Sequence, residues 1–314
     1  MSNAYFVTRQ SCPGCGSTST KIIYQKPFAE PPISDYLKDF YNSRGKVEFE
    51  YLEGSNYILE ECNSCGMIFQ KEIPNDQLMD RLYGNWLDPE KALNDHNKRD
   101  GLSHYTYYAQ EVMQLIAYFK KRPSQLKFFD FGMGWGRWAL MAKAFGCEAY
   151  GSELSKDRIE HAKSNGIKVI EWEEFPDYKF DFINTEQVFE HIPSPLETLR
   201  HLRKAIAAEG LIKISVPTAN DIERRLHVMD WKAKKYAQNS LNPIAPLEHI
   251  NFYRRKSIVK MAETAGLKEV QIPIKIQYQY TTEWDGIKKI AKNFYNPVSK
   301  NVFKKLNYLF FKMA

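Results

Sequence analysis

The sequence predicts an α/β protein: an open, mostly parallel sheet with helices on its faces, preceded by a small β-rich metal-binding module. Three observations lead there. A short apolar run, Leu126 to Phe131, ends in glycines at alternating positions, Gly132, Gly134 and Gly136, and passes into a helical pattern from Arg137 to Phe145. A second strand-like stretch, Ala149 to Glu153, ends in a carboxylate about twenty residues past the glycines. Two CxxC pairs, Cys12/Cys15 and Cys62/Cys65, stand apart from this pattern near the N-terminus.

Composition sets the bounds. The 314 residues are 43% hydrophobic, ample for one large core and a small second domain. No run of about 18 apolar residues exists, so no transmembrane helix is expected. The polar N-terminus lacks the apolar centre of a signal peptide. Four of the five cysteines lie in CxxC pairs, which fits metal binding in a reducing, cytoplasmic setting better than a disulfide scaffold. A net charge of +6 suits phosphate-bearing substrates or an acidic surface without singling either out.

Residues 1–80 read as the metal-binding module. In Cys12-Pro13-Gly14-Cys15-Gly16 and Cys62-Asn63-Ser64-Cys65-Gly66, each pair is a turn in which two thiolates face one ion, with glycine relieving the tight backbone. Four thiolates suit a closed, structural, tetrahedral Zn2+. The gap between the pairs exceeds that of a simple zinc ribbon, so two unrelated reduced pairs stand as the alternative. Between them, Lys46 to Glu53 alternates Val47, Phe49 and Tyr51 with polar residues and predicts a half-exposed strand. Tyr57–Glu60 and Met67–Phe69 predict strands on either side of the second turn.

Residues 81–125 read as a helical linker. The helices Leu78–Tyr83 and Tyr105–Lys120 are joined by a polar loop carrying His96, with His104 after it. Residues 126–285 read as the core. Ile167–Ile170, Phe180–Asn184 and Gly210–Pro217 continue the strands; Leu196–Ala207, Ile222–Met229 and Lys256–Ala265 are helices; Val270–Ile276 and Ile276–Tyr280 are the last strands. Cys147 sits in an apolar stretch and reads as core packing. Lys232, Lys234 and Lys235 form a basic patch on an insertion. Residues 286–314 form a basic tail, with Lys288, Lys289, Lys292, Lys300, Lys304, Lys305 and Lys312 interleaved with aromatics such as Phe294, Phe303 and Tyr308, and with Leu306. Such a tail suits peripheral contact with an anionic membrane; packing against the core or a second subunit is the favoured reading.

Asp130-x-Gly132-x-Gly134-x-Gly136, followed by Gly151-Ser152-Glu153-Leu154-Ser155, resembles the first two motifs of class I S-adenosylmethionine-dependent methyltransferases. Phe180–Asn184 with Val188–Pro193, and Gly210–Pro217, extend the likeness over roughly Leu126 to Tyr280. The resemblance implies a Rossmann-like, seven-stranded methyltransferase sheet that binds S-adenosyl-L-methionine. Asp130, Gly132, Gly134, Gly136, Leu154 and Asn184 would line the cofactor. Glu153 would take the ribose hydroxyls, and Glu171, beside Trp172, the adenine amino group, with Glu173 as a rival. A four-cysteine module ahead of such a core is similar to bacterial sugar C-methyltransferases and related surface-polysaccharide methyltransferases. That likeness implies a nucleotide-linked sugar as acceptor, substrate contacts from Tyr83 and Tyr108, and catalytic roles for His191 and the pair Glu248-His249. Pro246 stands where those enzymes carry tyrosine, which leaves carbon, oxygen and nitrogen open as the acceptor atom.

Methyl transfer is an in-line displacement, and a sugar hydroxyl or acidic carbon needs a base before it attacks. Glu190-His191 and Glu248-His249 supply the right side chains after the fourth and fifth strands. Two other classes are weighed. A nucleic-acid methyltransferase would use the zinc module as its grip, but Asn184-Thr185-Glu186-Gln187 stands where a base-flipping enzyme carries an Asn/Asp-Pro-Pro-Tyr motif. A non-catalytic cofactor-binding scaffold is the other.

Overall fold

Hydrogen-bonded turns at the two CxxC pairs organise the first of two units. The structure, a computed structural model, describes residues 4–42, 46–86, 91, 94, 98, 101–234, 237–281, 286–302 and 309–314. Unit one gathers residues 1–100, 190–195 and 217–260; unit two holds 101–189, 196–216 and 261–314. The segments carrying His191 and Glu248-His249 therefore group with the cysteine-bearing N-terminal residues. His96, Lys235, Phe303, Lys304, Lys305, Leu306 and Tyr308, and the side chains of His104, Lys289 and Lys300, lie outside the described residues.

In unit one, with strands numbered along the whole chain, β1 (Phe6–Thr8) pairs antiparallel with β5 (Glu72–Pro74). β2 (Thr20–Pro27), β3 (Asn56–Cys62) and β4 (Ile68–Gln70) form an antiparallel sheet with β11 (Asn251–Phe252), in the order β11-β4-β3-β2. The helix Ile33–Asn42 buries Ile33, Tyr36, Leu37 and Tyr41, one apolar stripe at helical spacing, beside Phe28, Tyr57 and Trp86. The helix Asp76–Arg81 is capped by Asn75, whose side chain accepts from the Leu78 N–H.

Unit two is the α/β core. Its strands are β6 (Lys127–Phe131), β7 (Glu148–Ser152), β8 (Lys168–Val169), β9 (Phe180–Glu186), β10 (Ile206–Ser215), β12 (Leu267–Val270) and β13 (Leu309–Met313). They form one seven-stranded sheet, ordered β12-β13-β10-β9-β6-β7-β8. The five strands from β10 to β8 are parallel, and β13 runs antiparallel to both β10 and β12. Phe128, Phe129, Phe182, Ile183, Leu211 and Ile212 are all buried, so adjacent side chains on opposite faces are both covered. That is why these strands read as unbroken apolar runs rather than alternating ones. Helices such as Leu102–Phe119, Arg137–Ala144 and Lys156–Ser164 supply the cover.

Three expectations are corrected. Residues 46–53 form no strand but a tight turn, Phe49–Tyr51. Glu48 there grips Arg81 through two hydrogen bonds of 2.6 and 2.9 Å and accepts from Trp86 Nε1 at 2.8 Å, so its side chain is satisfied by tertiary contacts rather than facing solvent along a ladder. Residues 274–279 form a helix, not a strand. Pro273 sits at its start, where the missing N–H costs nothing, and this outweighs the β-branched composition. The sheet position given to that segment belongs to β13, from the basic tail. Packing against the core is thus the observed fate of Leu309–Met313, while Phe294 and Tyr295 are exposed. Among the described residues, no helix is long and apolar enough to cross a membrane.

One row of polar side chains crosses the core sheet. Asp130 on β6 sits level with Asn184 on β9, and Asn184 with Lys213 on β10. Lys213 is fully buried and holds Glu111 at 2.7 Å and Glu186 at 3.0 Å, while Trp138 Nε1 donates to Glu111 at 2.7 Å. Burial pushes the Lys213 ammonium down, but Glu111 and Glu186 more than offset it and hold it above the usual lysine range. Lys213→Met leaves Glu111 as an uncompensated buried charge and should destabilise the protein by about 3–5 kcal/mol. Adding Glu111→Leu should restore much of the loss. Urea denaturation of both variants checks this; a wild-type midpoint for Lys213→Met would show the pair to be energetically idle.

Candidate cofactor site, acid–base cluster and metal centre

The loop between β6 and the helix Arg137–Ala144 carries the three glycines, all in the left-handed region at φ 68°, 56° and 73°. They are there for different reasons. A Cβ on Gly132 would meet Val188 at 2.8 Å and one on Gly136 would meet Ile167 at 2.8 Å, so both permit close packing. A Cβ on Gly134 would meet nothing within 4 Å. It would project into open space, as expected where a loop cradles a ligand.

Glu153 follows β7 and is locked to this loop. Its Oε2 accepts from the Gly134 N–H at 2.9 Å, and its Oε1 accepts from Leu154 and Ser155 N–H at 2.9 and 3.2 Å. Arg158 approaches at 3.6 Å. A carboxylate has about four acceptor positions, so capacity remains for a ribose hydroxyl. Leu154 itself is exposed. Asp130 and Asn184 lie buried behind the loop, with Asn184 Nδ2 donating to Asp130 at 2.8 Å. Burial lifts the Asp130 carboxyl from 3.8 to about 7, against the pull of Asn184. Among the described residues, Asn184 Oδ1 is buried with no hydrogen-bond partner.

At the far end, Glu171 is exposed and its N–H is held by the Glu174 carboxylate. Trp172 is 40% exposed and stacks on His201, ring centroids 4.1 Å apart, while His201 Nε2 donates to the Trp172 carbonyl at 2.8 Å. Trp172 is thus a fixed aromatic platform. His201 had no motif to reveal it. Tyr108 is largely buried near Glu186 and Asp130, and burial, with their charges, pushes its hydroxyl well above the usual tyrosine range. The β6 loop and Glu153 fit S-adenosylmethionine: an open cradle at Gly134 and an oriented carboxylate beside it.

Unit one holds a second cluster. His191 Nδ1 lies 2.8 Å from the Glu248 carbonyl, and His249 Nδ1 lies 3.1 Å from the Pro243 carbonyl. A carbonyl only accepts, so each Nδ1 carries a proton, and in the neutral ring the lone pair is on Nε2. The two rings are 4.8 Å apart, edge to face. Burial holds the His191 ring below its usual 6.5, keeping it neutral near pH 7. Glu248 accepts from the buried Tyr41 hydroxyl at 3.3 Å. Tyr83, exposed, lies near Tyr41 electrostatically. Tyr41 joins the expected residues without any pattern in the sequence to announce it, while Glu190 is already paired with His191 in the sequence as a source of base.

The four cysteines converge as the spacing predicts. Cys12 Sγ is 3.6 Å from Cys65 Sγ, and Cys15 Sγ 3.6 Å from Cys62 Sγ. A tetrahedral zinc with Zn–S near 2.3 Å sets sulfurs about 3.8 Å apart, so the quartet fits zinc. All four are free thiols. Burial raises the Cys62 thiol, but N–H groups of Cys65 and Ser64 aimed at its sulfur bring it down to about 7, while burial pushes Cys15 up to about 11 and the Cys12 contact, with burial, raises Cys65, so the four thiols do not ionise together without an ion between them.

A family model described as a methyltransferase domain matches residues 103–272. No protein of curated function matches the sequence significantly. Among solved structures, the plantazolicin methyltransferase BpumL in complex with a desmethylPZN analog and SAH is 15% identical, with 74% of this chain and 92% of that one covered at a TM-score of 0.46. PKMT2 from Rickettsia typhi is 14% identical, with 67% of this chain and 53% of that one covered at a TM-score of 0.42.

Two outcomes are expected. Gly134→Val fills the open cradle and should weaken S-adenosylhomocysteine binding more than tenfold. Glu153→Ala removes a charged acceptor, a loss of about 1–3 kcal/mol. Calorimetry decides; unchanged affinity in both would refute the cofactor assignment. Cys12→Ser should lower zinc content and loosen unit one, since binding and folding of such a centre are linked. Elemental analysis of protein purified without chelator checks it, and wild-type protein without zinc would remove the assignment.

Proposed function

We infer an acceptor and a mechanism from one premise: this chain belongs to the methyltransferase-domain family, and it is an S-adenosylmethionine-dependent methyltransferase. The acceptor we assign is a small molecule, a nucleotide-linked sugar or related surface-polysaccharide precursor. One observation supports it most: two imidazoles with Nδ1 sealed by backbone carbonyls, beside Glu248 and Tyr41. A hydroxyl or an enolisable carbon needs such a set before it attacks, whereas an amine already unprotonated does not. The resemblance to sugar methyltransferases with four-cysteine modules points the same way.

When bound, S-adenosylmethionine supplies an electrophilic sulfonium methyl group. Glu153 holds the ribose, Gly134 leaves room beside the loop, and Trp172 offers an aromatic face to adenine. His249 Nε2 takes the acceptor's proton. The hydrogen bond from Tyr41 steadies Glu248, which directs its backbone carbonyl at His191. His191 is the alternative base, held neutral and so able to accept a proton near pH 7.

The test is methyl transfer to nucleotide sugars set against RNA. His249→Asn should lower the rate by about 10²–10⁴-fold if it is the general base. Its affinity for S-adenosylmethionine should barely move. A large loss only in His191→Asn would transfer the role. Full rates in both variants, with chemistry rate-limiting, would exclude base catalysis here and favour an acceptor that is already nucleophilic.

A further inference from the structure

Two groups among the described residues have the composition and proximity to hold a metal ion: the four cysteines, and Glu190 with His191 and His249. We propose that Glu190, His191 and His249 form a second metal site, for a divalent ion such as Zn2+, Co2+ or Fe2+, chemically distinct from the four-cysteine centre.

The donor atoms of the three residues lie within 4.8 Å of one another. An ion about 2.1 Å from each would draw tetrahedral ligands to roughly 3.4 Å, so closure needs side-chain shifts on the order of 1 Å. Two imidazoles and one carboxylate suit borderline dications rather than Mg2+ or Ca2+, which prefer oxygen alone. The outer partners are those of a metal-bound histidine: each ring donates Nδ1–H to a carbonyl, His191 to Glu248 and His249 to Pro243. Such bonds fix the tautomer and aim Nε2 at the ion.

The backbone is equally constrained. Ile250 and Asn251 N–H both donate to the Glu190 carbonyl, at 2.8 and 3.1 Å, and the Asn251 side chain donates to Ile192 at 2.6 Å. Arg9 donates to Pro193 at 2.8 Å and Ile250 at 3.0 Å. Two residues before His249, the buried Leu247 is held at φ 73°, a conformation a bulky residue adopts only when its surroundings impose it. Glu190 is 1% exposed, so an ion it held would act in a site shielded from water, where charge counts most.

The site shares side chains with the proton-accepting role assigned above but does not depend on that role. An Nε2 that holds an ion has no lone pair for a proton, so metal-loaded and base-competent states exclude each other at His249. The experiment is a Co2+ titration of the full chain with its cysteine centre already filled with zinc, followed by absorption and calorimetry. One further equivalent should bind, giving weak visible d–d bands without the intense near-ultraviolet thiolate transition of a cysteine site. Glu190→Gln and His249→Asn should each weaken it at least tenfold. They lie on different segments, so either serves if the other fails to fold. No binding of Co2+ up to millimolar, a thiolate-type spectrum, or binding that survives the substitutions would overturn the proposal. The readout is metal, and methyl transfer by protein carrying zinc at the cysteine centre alone reports separately on the base.

Discussion

The guanidinium of Arg9 is the tie on which unit one depends. It donates to the carbonyls of Gln70, Ile250 and Pro193, three segments far apart in sequence, and burial lowers it from 12.5 to about 10. A planar fork with several fixed donors is the side chain able to hold three carbonyls at once. Gln70 repeats the tie at the backbone, its N–H bonding to Ile250 and its side chain accepting from Leu247. The His191 strap and the Glu248-His249 turn thus hang from the strand that leaves the second cysteine pair. Arg9 stands three residues before Cys12, and β4 begins three residues after Cys65. A structural metal at the cysteines would therefore set the position of both.

Unit two solves a different problem, how to expose backbone at the end of a fully covered sheet. Three glycines share a conformation, yet only Gly134 faces open space, while Gly132 and Gly136 let Val188 and Ile167 close in. Glu153 then pins the loop by accepting the Gly134 N–H. Behind it, the row Asp130–Asn184–Lys213 replaces apolar packing with charge. It costs desolvation and is held by Glu111 and Glu186.

The turn after β6 was legible because a strand that dissolves into alternating glycines has to take left-handed backbone, and the meeting of Glu153 with Gly134 because the distance between them is set by one helix and one turn. The cysteines were legible because ligand spacing is local. What depends on tertiary partners was not. Val47, Phe49 and Tyr51 alternate like a strand, but Glu48 found Arg81 and Trp86 instead of a ladder. The β-branched run after Val270 lost to Pro273. Leu309–Met313 looked like a basic tail because three lysines precede or interrupt it; nothing local says that a strand slot lies vacant between β10 and β12. Tyr41 acquires meaning only from Glu248, brought in by a distant segment, and pattern reading has no access to that.

The four-stranded sheet of unit one is completed by β11, a strand that lies beyond every strand of the parallel core but β12 and β13. On the ribosome, β4 is made early and pairs with β3, yet its other edge meets Asn251 and Phe252 only after most of the core has been synthesised. Until then that edge presents unpaired N–H and C=O groups, the template on which chains add to one another. It is three residues long, Ile68–Gln70, and short edges recruit poorly. A strand as short as β4 leaves little such template during the long wait for its partner.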